Sequence, residues 1–337
     1  MLSRIGVLAA AAVALVAMPL TANAQDWQPE SPITIIVPWA AGGSTDTVTR
    51  VLAGELTEAL GQDVVVMNQP GAAGSVGTRS VWESDRDGLT MAAGAAGDLG
   101  AYPVIGTLDA TLDDWRLYLH VAYPGLISVP ADSEWDDFGE LLEALKTAEE
   151  PITVSSAGLT SATAVNMQAI DAVADINYRQ IVYEGGNPAV ISTVAGETQM
   201  TAATATEQVD MIRAGRLRPL AAVAGTALEI DGYDGTIPPI TDWLPEIRTA
   251  PNYFGVFVPA DTPENILNTL DAVWENEIAD SEALRKFAAE RAAIFDPSYG
   301  QEAAEKAMPF LSINAWQQYE AQTAPNSPAD FGIPRPE

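Results

Sequence analysis

The stretch from Ile33 to Leu60 limits the possible folds of this chain more than any other. Ile33-Thr34-Ile35-Ile36-Val37 is a short run of apolar and β-branched residues, and it reads as a strand buried on both faces. Val48, Val51, Leu52, Leu56, Ala59 and Leu60 recur at helical spacing, and Gly61 follows them. Ser44, Thr45 and Asp46 are each competent helix N-caps, and Gly61 suits the position just past a helix end. The small residues from Pro38 to Asp46 therefore carry the chain from the carboxyl end of a strand into a helix N-terminus. Such a loop presents backbone N–H groups and the positive end of a helix dipole, which together suit an anion. It is not a Walker phosphate loop, because no Lys precedes a Ser or Thr, and Gly42-Gly43 does not make G-x-G-x-x-G. A tight turn without ligand and an anion site are both compatible with this loop taken alone.

Similar loops recur. Val64-Val65-Val66 leads into Asn68-Gln69-Pro70-Gly71-Ala72-Ala73-Gly74, with a helix expected through Val81 and Trp82. Gly88 to Ala93 reads as a strand, followed by a small-residue loop over Gly94–Asp98. Three strand-loop-helix units in succession imply a parallel sheet with helices on its faces. Leu117 to Pro130 is strand-like around Pro124-Gly125 and is the expected crossing into a second domain. The pattern then resumes: strand Ile152–Ser155, a hydroxyl-rich loop Ser156–Thr163, strand Ile181–Tyr183 and loop Glu184–Pro188. There Asn187 is the expected N-cap and Pro188 the first helical residue. Strands at Gln199–Ala203 and Leu217–Ala224 follow, the second carrying the chain back, then strand Phe254–Pro259 and three helices ending near Ala321. The Pro-rich tail from Asn326 either lies extended against the body or is loose. The expected division is a signal peptide at 1–24, one domain at 25–123 plus 224–337, and a second at 124–223.

Arg4, an apolar run to about Leu20 and Ala22-Asn23-Ala24 form an export signal with cleavage expected after Ala24. The chain has no Cys, so it has neither disulfides nor a lipid-modified cysteine after the signal. It is expected free in the periplasm, without a lipid anchor, and as a monomer. The cleaved segment holds one basic residue and no acid, leaving 15 basic against 46 acidic side chains and a net charge of −31. Nucleic acid and anionic membrane are poor partners for such a surface.

Little supports catalysis. His120, the single histidine, sits in an apparent strand between Leu119 and Val121, where a structural role is expected. No metal-ligand spacing is present, acidic pairs fall in no distinctive pattern, and Asp46 is best read as a cap. No cofactor and no enzyme activity are expected. Loops after strands gather at the carboxyl edge of open α/β sheets, so two such sheets would face each other across a cleft. Its lining would be amides, hydroxyls and Gly, with Trp39, Tyr102 and Tyr183 as walls and Arg50, Arg79 and Arg179 on the surface. This chemistry suits capture of a carboxylate by neutral donors.

Several motifs taken together resemble one family. They are Pro32-Ile33, Val37 to Asp46, Leu60-Gly61-Gln62, Val65-Val66, Asn68 to Gly74, Asp87-Gly88, Ser155-Ser156-Ala157-Gly158, Gly215 to Leu220, and Val258-Pro259-Ala260 with Thr262-Pro263. The chain is similar in these to the periplasmic solute receptors of tripartite tricarboxylate transporters, the Bug family, over nearly all of its mature length. The resemblance implies an α/β, two-domain, hinged periplasmic binding protein of type II-like form, each domain a mainly parallel sheet flanked by helices. It implies a small organic carboxylate as ligand and integral-membrane transporter subunits as partners. Carried over by position, the ligand-binding residues would be Ala41, Gly42, Gly43, Ser44, Thr45, Asp46, Asn68 and Gly74, then Ser156, Ala157, Gly158, Thr160, Ser161 and Tyr183, with Trp39 as a wall. Where the family often has Pro-His this chain has Thr163-Ala164, and where it often has Asp-Asn this chain has Ala203-Thr204. Without that acid an ammonium-bearing ligand is the less expected one. A receptor serving a sensor kinase, and an exported hydrolase of carboxylate esters, are the rival readings.

Overall fold

The computed structural model describes residues 27–158 and 161–336. The export signal expected at 1–24 and the candidate residue Thr160 lie outside these.

The first part of the chain alternates strands and helices: β1 (Ile33–Val37), α1 (Ser44–Leu60), β2 (Val64–Asn68), α2 (Ser75–Trp82), β3 (Thr90–Ala95) and α3 (Ala96–Ile105). β1 pairs in parallel with both β2 and β3. β4 (Trp115–Tyr123) and β5 (Gly125–Pro130) are separated by Pro124 alone, and they belong to different sheets. The second part runs α4 (Phe138–Thr147), β6 (Ile152–Ser156), α5 (Ala162–Ala174), β7 (Tyr178–Val182), α6 (Gly186–Val194), β8 (Met200–Thr201), α7 (Ala205–Arg213) and β9 (Leu217–Val223). After a small hairpin of β10 (Leu228–Glu229) and β11 (Thr236–Ile237), the chain returns through β12 (Asn252–Pro259), α8 (Glu264–Asn276), α9 (Glu282–Glu290), β13 (Ile294–Tyr299) and α10 (Gly300–Glu320).

Two large sheets result, in the orders β13-β4-β12-β3-β1-β2 and β7-β6-β8-β5-β9. In each, the strand-loop-helix units supply parallel pairings and the strands that cross between lobes supply antiparallel ones. β1 buries Ile33, Ile35 and Val37 toward α1, α8 and α9, and Ile36 on the opposite face toward α3 and α10. This double burial is why the strand reads as a continuous apolar run. The second lobe packs Ile152 and Val154 against Phe138, Leu141 and Ile170.

Several expectations are corrected. Gly94–Asp98 is not a loop: β3 runs to Ala95 and α3 begins at once at Ala96, because small residues let the chain turn without a linker. β13 was not foreseen, since Asp296-Pro297 interrupts its pattern. It is an edge strand, where Pro is tolerated, and its register shifts between Phe295 and Ser298. The tail lies against the body, with Trp316 Nε1 donating to the Pro334 carbonyl at 2.7 Å.

β4 bulges where it meets β12: Phe254 pairs with Val121 and Gly255 with Leu119, so His120 is the extra residue. A Cβ on Gly255 would lie 2.3 Å from the Tyr118 carbonyl oxygen. Backbone on both sides cannot give way. Gly255→Ala is therefore expected to destabilise the protein by about 3 kcal/mol, read as a lower urea midpoint, and an unchanged midpoint would mean the bulge relaxes freely.

Candidate functional site

A cavity lies between the two sheets. Its walls come from Trp39, Ala40, Gly43, Ser44 and Thr45 after β1, from Ala95 and Asp98 at α3, and from Asn252 and Phe254 of β12. The other lobe contributes Ala157 and Ser161–Thr163 after β6, Gly185–Pro188 after β7, and Ala203, Thr204 and Glu207 after β8. The N-cap residues of five helices are among them: Gly43 for α1, Ala95 for α3, Ser161 for α5, Gly185 for α6 and Thr204 for α7. Each helix follows a strand held in a mixed sheet, so the sheet edges aim five positive dipole ends at one space. Among the described lining residues none is Lys, Arg or His. The cavity has a volume of about 50 Å³, against roughly 10–15 Å³ for one water. It therefore holds a handful of waters or one small molecule.

The first loop is held from behind. Gly43, not Ser44, Thr45 or Asp46, is the N-cap of α1, in extended conformation and without a side-chain cap. Asp46 is not the cap but reaches back from the first turn to accept the Gly42 N–H at 2.9 Å. The same carboxylate accepts Arg50 Nη2 at 2.8 Å and Asn68 Nδ2 at 2.9 Å. Burial pushes Asp46 up, but the hydrogen bonds from Arg50, Gly42 and Asn68 outweigh it and hold the group below the usual carboxylate range. Asn68 also donates to the Trp39 carbonyl at 3.0 Å. Asp46, Arg50 and Asn68 thus shape the loop rather than line the cavity. Gly74 stands behind Trp39: its φ is +92°, and a Cβ there would meet the Tyr102 hydroxyl at 2.6 Å. Tyr102 is buried in the core and is not a cavity wall.

In the second lobe Ser161 caps α5, accepting from the Ala164 N–H at 3.3 Å, and donates to the Gly158 carbonyl at 2.7 Å. The Gly158 N–H donates to Ser156 Oγ at 3.2 Å, so buried Ser156 braces the turn from below. Of the residues read from sequence, Trp39, Gly43, Ser44, Thr45, Ala157 and Ser161 line the cavity. Ala41 and Gly42 are exposed beside it, Ser156 and Gly158 support it, and the Tyr183 hydroxyl points elsewhere, donating to Glu197 at 3.2 Å. The Asn187 cap is corrected: α6 begins at Gly186 with Gly185 as cap, whose φ of +128° suits Gly alone.

Sequence reading missed Asp98, Asn252, Phe254 and Glu207. A signal for Glu207 was present, since Thr204-Ala205-Thr206-Glu207 has the spacing of a capping box. The box forms, with Thr204 Oγ1 donating to Glu207 Oε2 at 2.9 Å. The other oxygen, Oε1, accepts the Ser44 hydroxyl from across the cleft at 3.1 Å. Burial raises the Glu207 carboxyl above its ordinary value, against the opposing hydrogen bonds of Thr204 and Ser44. His120 lies in the interior of the first sheet, away from the cavity lining.

Two α/β lobes, joined by crossing strands and facing a cavity ringed by helix N-termini, define a periplasmic binding protein of the two-domain type. A family model described as the tripartite tricarboxylate transporter family receptor matches residues 48–308. The UPF0065 protein of the tcbD-tcbE intergenic region in Pseudomonas sp. (strain P51) is 31% identical, over 81% of this chain and 81% of its own. Two solved structures from Rhodopseudomonas palustris have the same fold. One, MatC with bound malate, is 22% identical with a TM-score of 0.75, covering 85% of this chain and 99% of that one. The other, solved with adipate, is 21% identical with a TM-score of 0.79, covering 89% and 100%. The chain belongs to the tripartite tricarboxylate transporter receptor family, a family of solute-binding receptors and not of enzymes.

Proposed function

We propose that the protein is a periplasmic receptor that captures a small organic carboxylate between its lobes and delivers it to the membrane subunits of a tripartite tricarboxylate-type transporter. The observation that carries this reading is the convergence of five helix N-caps on one cavity. Backbone N–H groups at such ends bind anions without a cationic side chain. Trp39, Phe254 and Pro188 supply apolar surface for a carbon skeleton. The carboxylates in the two R. palustris structures, malate and adipate, are of the size that such a cavity would take.

The ligand-binding set in this reading centres on Trp39, Gly43, Ser44, Thr45, Ala157 and Ser161, with Ala41, Gly42, Asp46, Asn68, Gly74, Ser156 and Gly158 shaping the loops. The domains would divide at 124 and 224, so that the Pro124 crossing and the return after Val223 act as the hinge. Export would release the chain after Ala24. No helix among the described residues is long and apolar enough to cross a membrane.

A thermal-shift screen of residues 25–337 against mono-, di- and tricarboxylates tests the receptor reading. Ligand at 100 times its dissociation constant is expected to add about 2.7 kcal/mol, a midpoint rise of several degrees, with the compound recovered unchanged. Turnover of the compound, or no response to any carboxylate after denaturation and refolding to strip a bound ligand, would defeat it.

A further inference from the structure

One wall of the cavity is built from acceptors. Glu207 reaches from the first turn of α7 to the first turn of α1 in the other lobe. A capping-box glutamate needs only its own helix, yet this one spends its second oxygen on the Ser44 hydroxyl, and the Ser44 amide also stabilises the carboxylate. Gly186 leaves room for this carboxylate, since a Cβ there would lie 1.8 Å from Oε1. The α1 N-terminus is thus already occupied by an internal carboxylate. Asp98, in the first turn of α3, is buried on the same cavity. Asn252, 4% exposed, also lines it, and its Oδ1 has no hydrogen-bond partner among the described residues. A buried acceptor without a donor calls for a partner, and a ligand's donor group would supply one.

Resting on the carboxylate-receptor reading, we propose that Glu207, with Asp98 and Asn252, sets the selectivity of the cleft for a ligand bearing one carboxylate at one end and a hydrogen-bond donor, best an ammonium, at the other. The carboxylate end goes to the N-termini of α5 and α6, neither of which has an acidic residue in its first turn. The donor end meets the acceptor wall. A second carboxylate placed there faces like charges in a poorly hydrated space and is rejected.

Matched pairs test this: ω-amino acids and α,ω-dicarboxylates of four to six carbons, for example 4-aminobutanoate and succinate, titrated by calorimetry into the wild-type protein and Glu207→Gln. Gln keeps the capping box, so the variant is expected to fold, with an unchanged melting profile as the check. The wild type is expected to prefer the amino acid of each pair, and Glu207→Gln to move that preference at least tenfold toward the dicarboxylate. Binding with the same ratio in both proteins would overturn the role of Glu207 and leave the receptor reading standing. Binding of no member of any pair to either protein would overturn the proposed ligand class and leave the receptor reading to the thermal-shift screen.

Discussion

Between pH 7 and pH 4 the protein is expected to lose about 3 kcal/mol of stability through His120 alone. His120 is fully buried in β4, and neither ring nitrogen has a hydrogen-bond partner among the described residues. Burial disfavours the imidazolium and pushes the pKa from its ordinary value of 6.5 down to about 3. The sign follows from proton counting. Between pH 6.5 and 3 the unfolded chain binds a proton that the folded chain refuses, so acid favours unfolding. The contribution is complete above the unfolded value, falls as pH drops through that window, and is lost below the folded value. His120→Leu removes the titration and two unpaired polar atoms at similar volume, so its stability should fall about 3 kcal/mol less over the same range. Urea unfolding of both proteins at pH 7 and pH 4 measures the difference. Equal losses would mean that the folded protein protonates His120 without penalty.

This residue also shows what sequence can and cannot say. An imidazole between Leu119 and Val121 in an apparent strand was readable as structural. That it is the extra residue of a bulge opposite Gly255 was not, because a bulge depends on pairing with a strand more than a hundred residues away. The strand-loop-helix units around Ile33–Leu60 and Ile152–Val173 were legible for a physical reason. Parallel strands buried on both faces leave apolar runs, and amphipathic helices leave spaced ones. Caps were less legible. Asn187-Pro188 has the composition of a helix start, yet the chain caps α6 two residues earlier with Gly185, the residue able to adopt the positive φ, and α6 begins at Gly186. The acidic wall was the least legible part. Asp98, Asn252 and Glu207 come from three separate segments, and their meeting depends on two lobes facing each other. Local spacing can reveal that Glu207 caps its own helix, but not that its free oxygen reaches Ser44.

Gly43→Val is expected to reduce carboxylate affinity at least a hundredfold while the protein stays folded. Gly43 has φ −76° and ψ 178°, an extended conformation that Val adopts readily. Beyond its chain neighbours, the one heavy atom within 4 Å of a Cβ there is the Ala40 carbonyl oxygen, at 3.6 Å, so the backbone accepts the substitution. The cost to the fold is that of a poorer N-cap, roughly 1 kcal/mol. The effect on the cleft is larger. Gly43 is buried and lines a space of about 50 Å³, and two added methyl groups take much of what a small ligand needs. A hundredfold loss corresponds to about 2.7 kcal/mol. Calorimetry with the best carboxylate of the thermal-shift screen, together with an unfolding curve, separates the two effects. Weak binding with near-normal stability places the ligand against the first strand-helix loop. Unchanged affinity would move it away from that loop, because no ligand filling the space beside Gly43 could ignore a valine there.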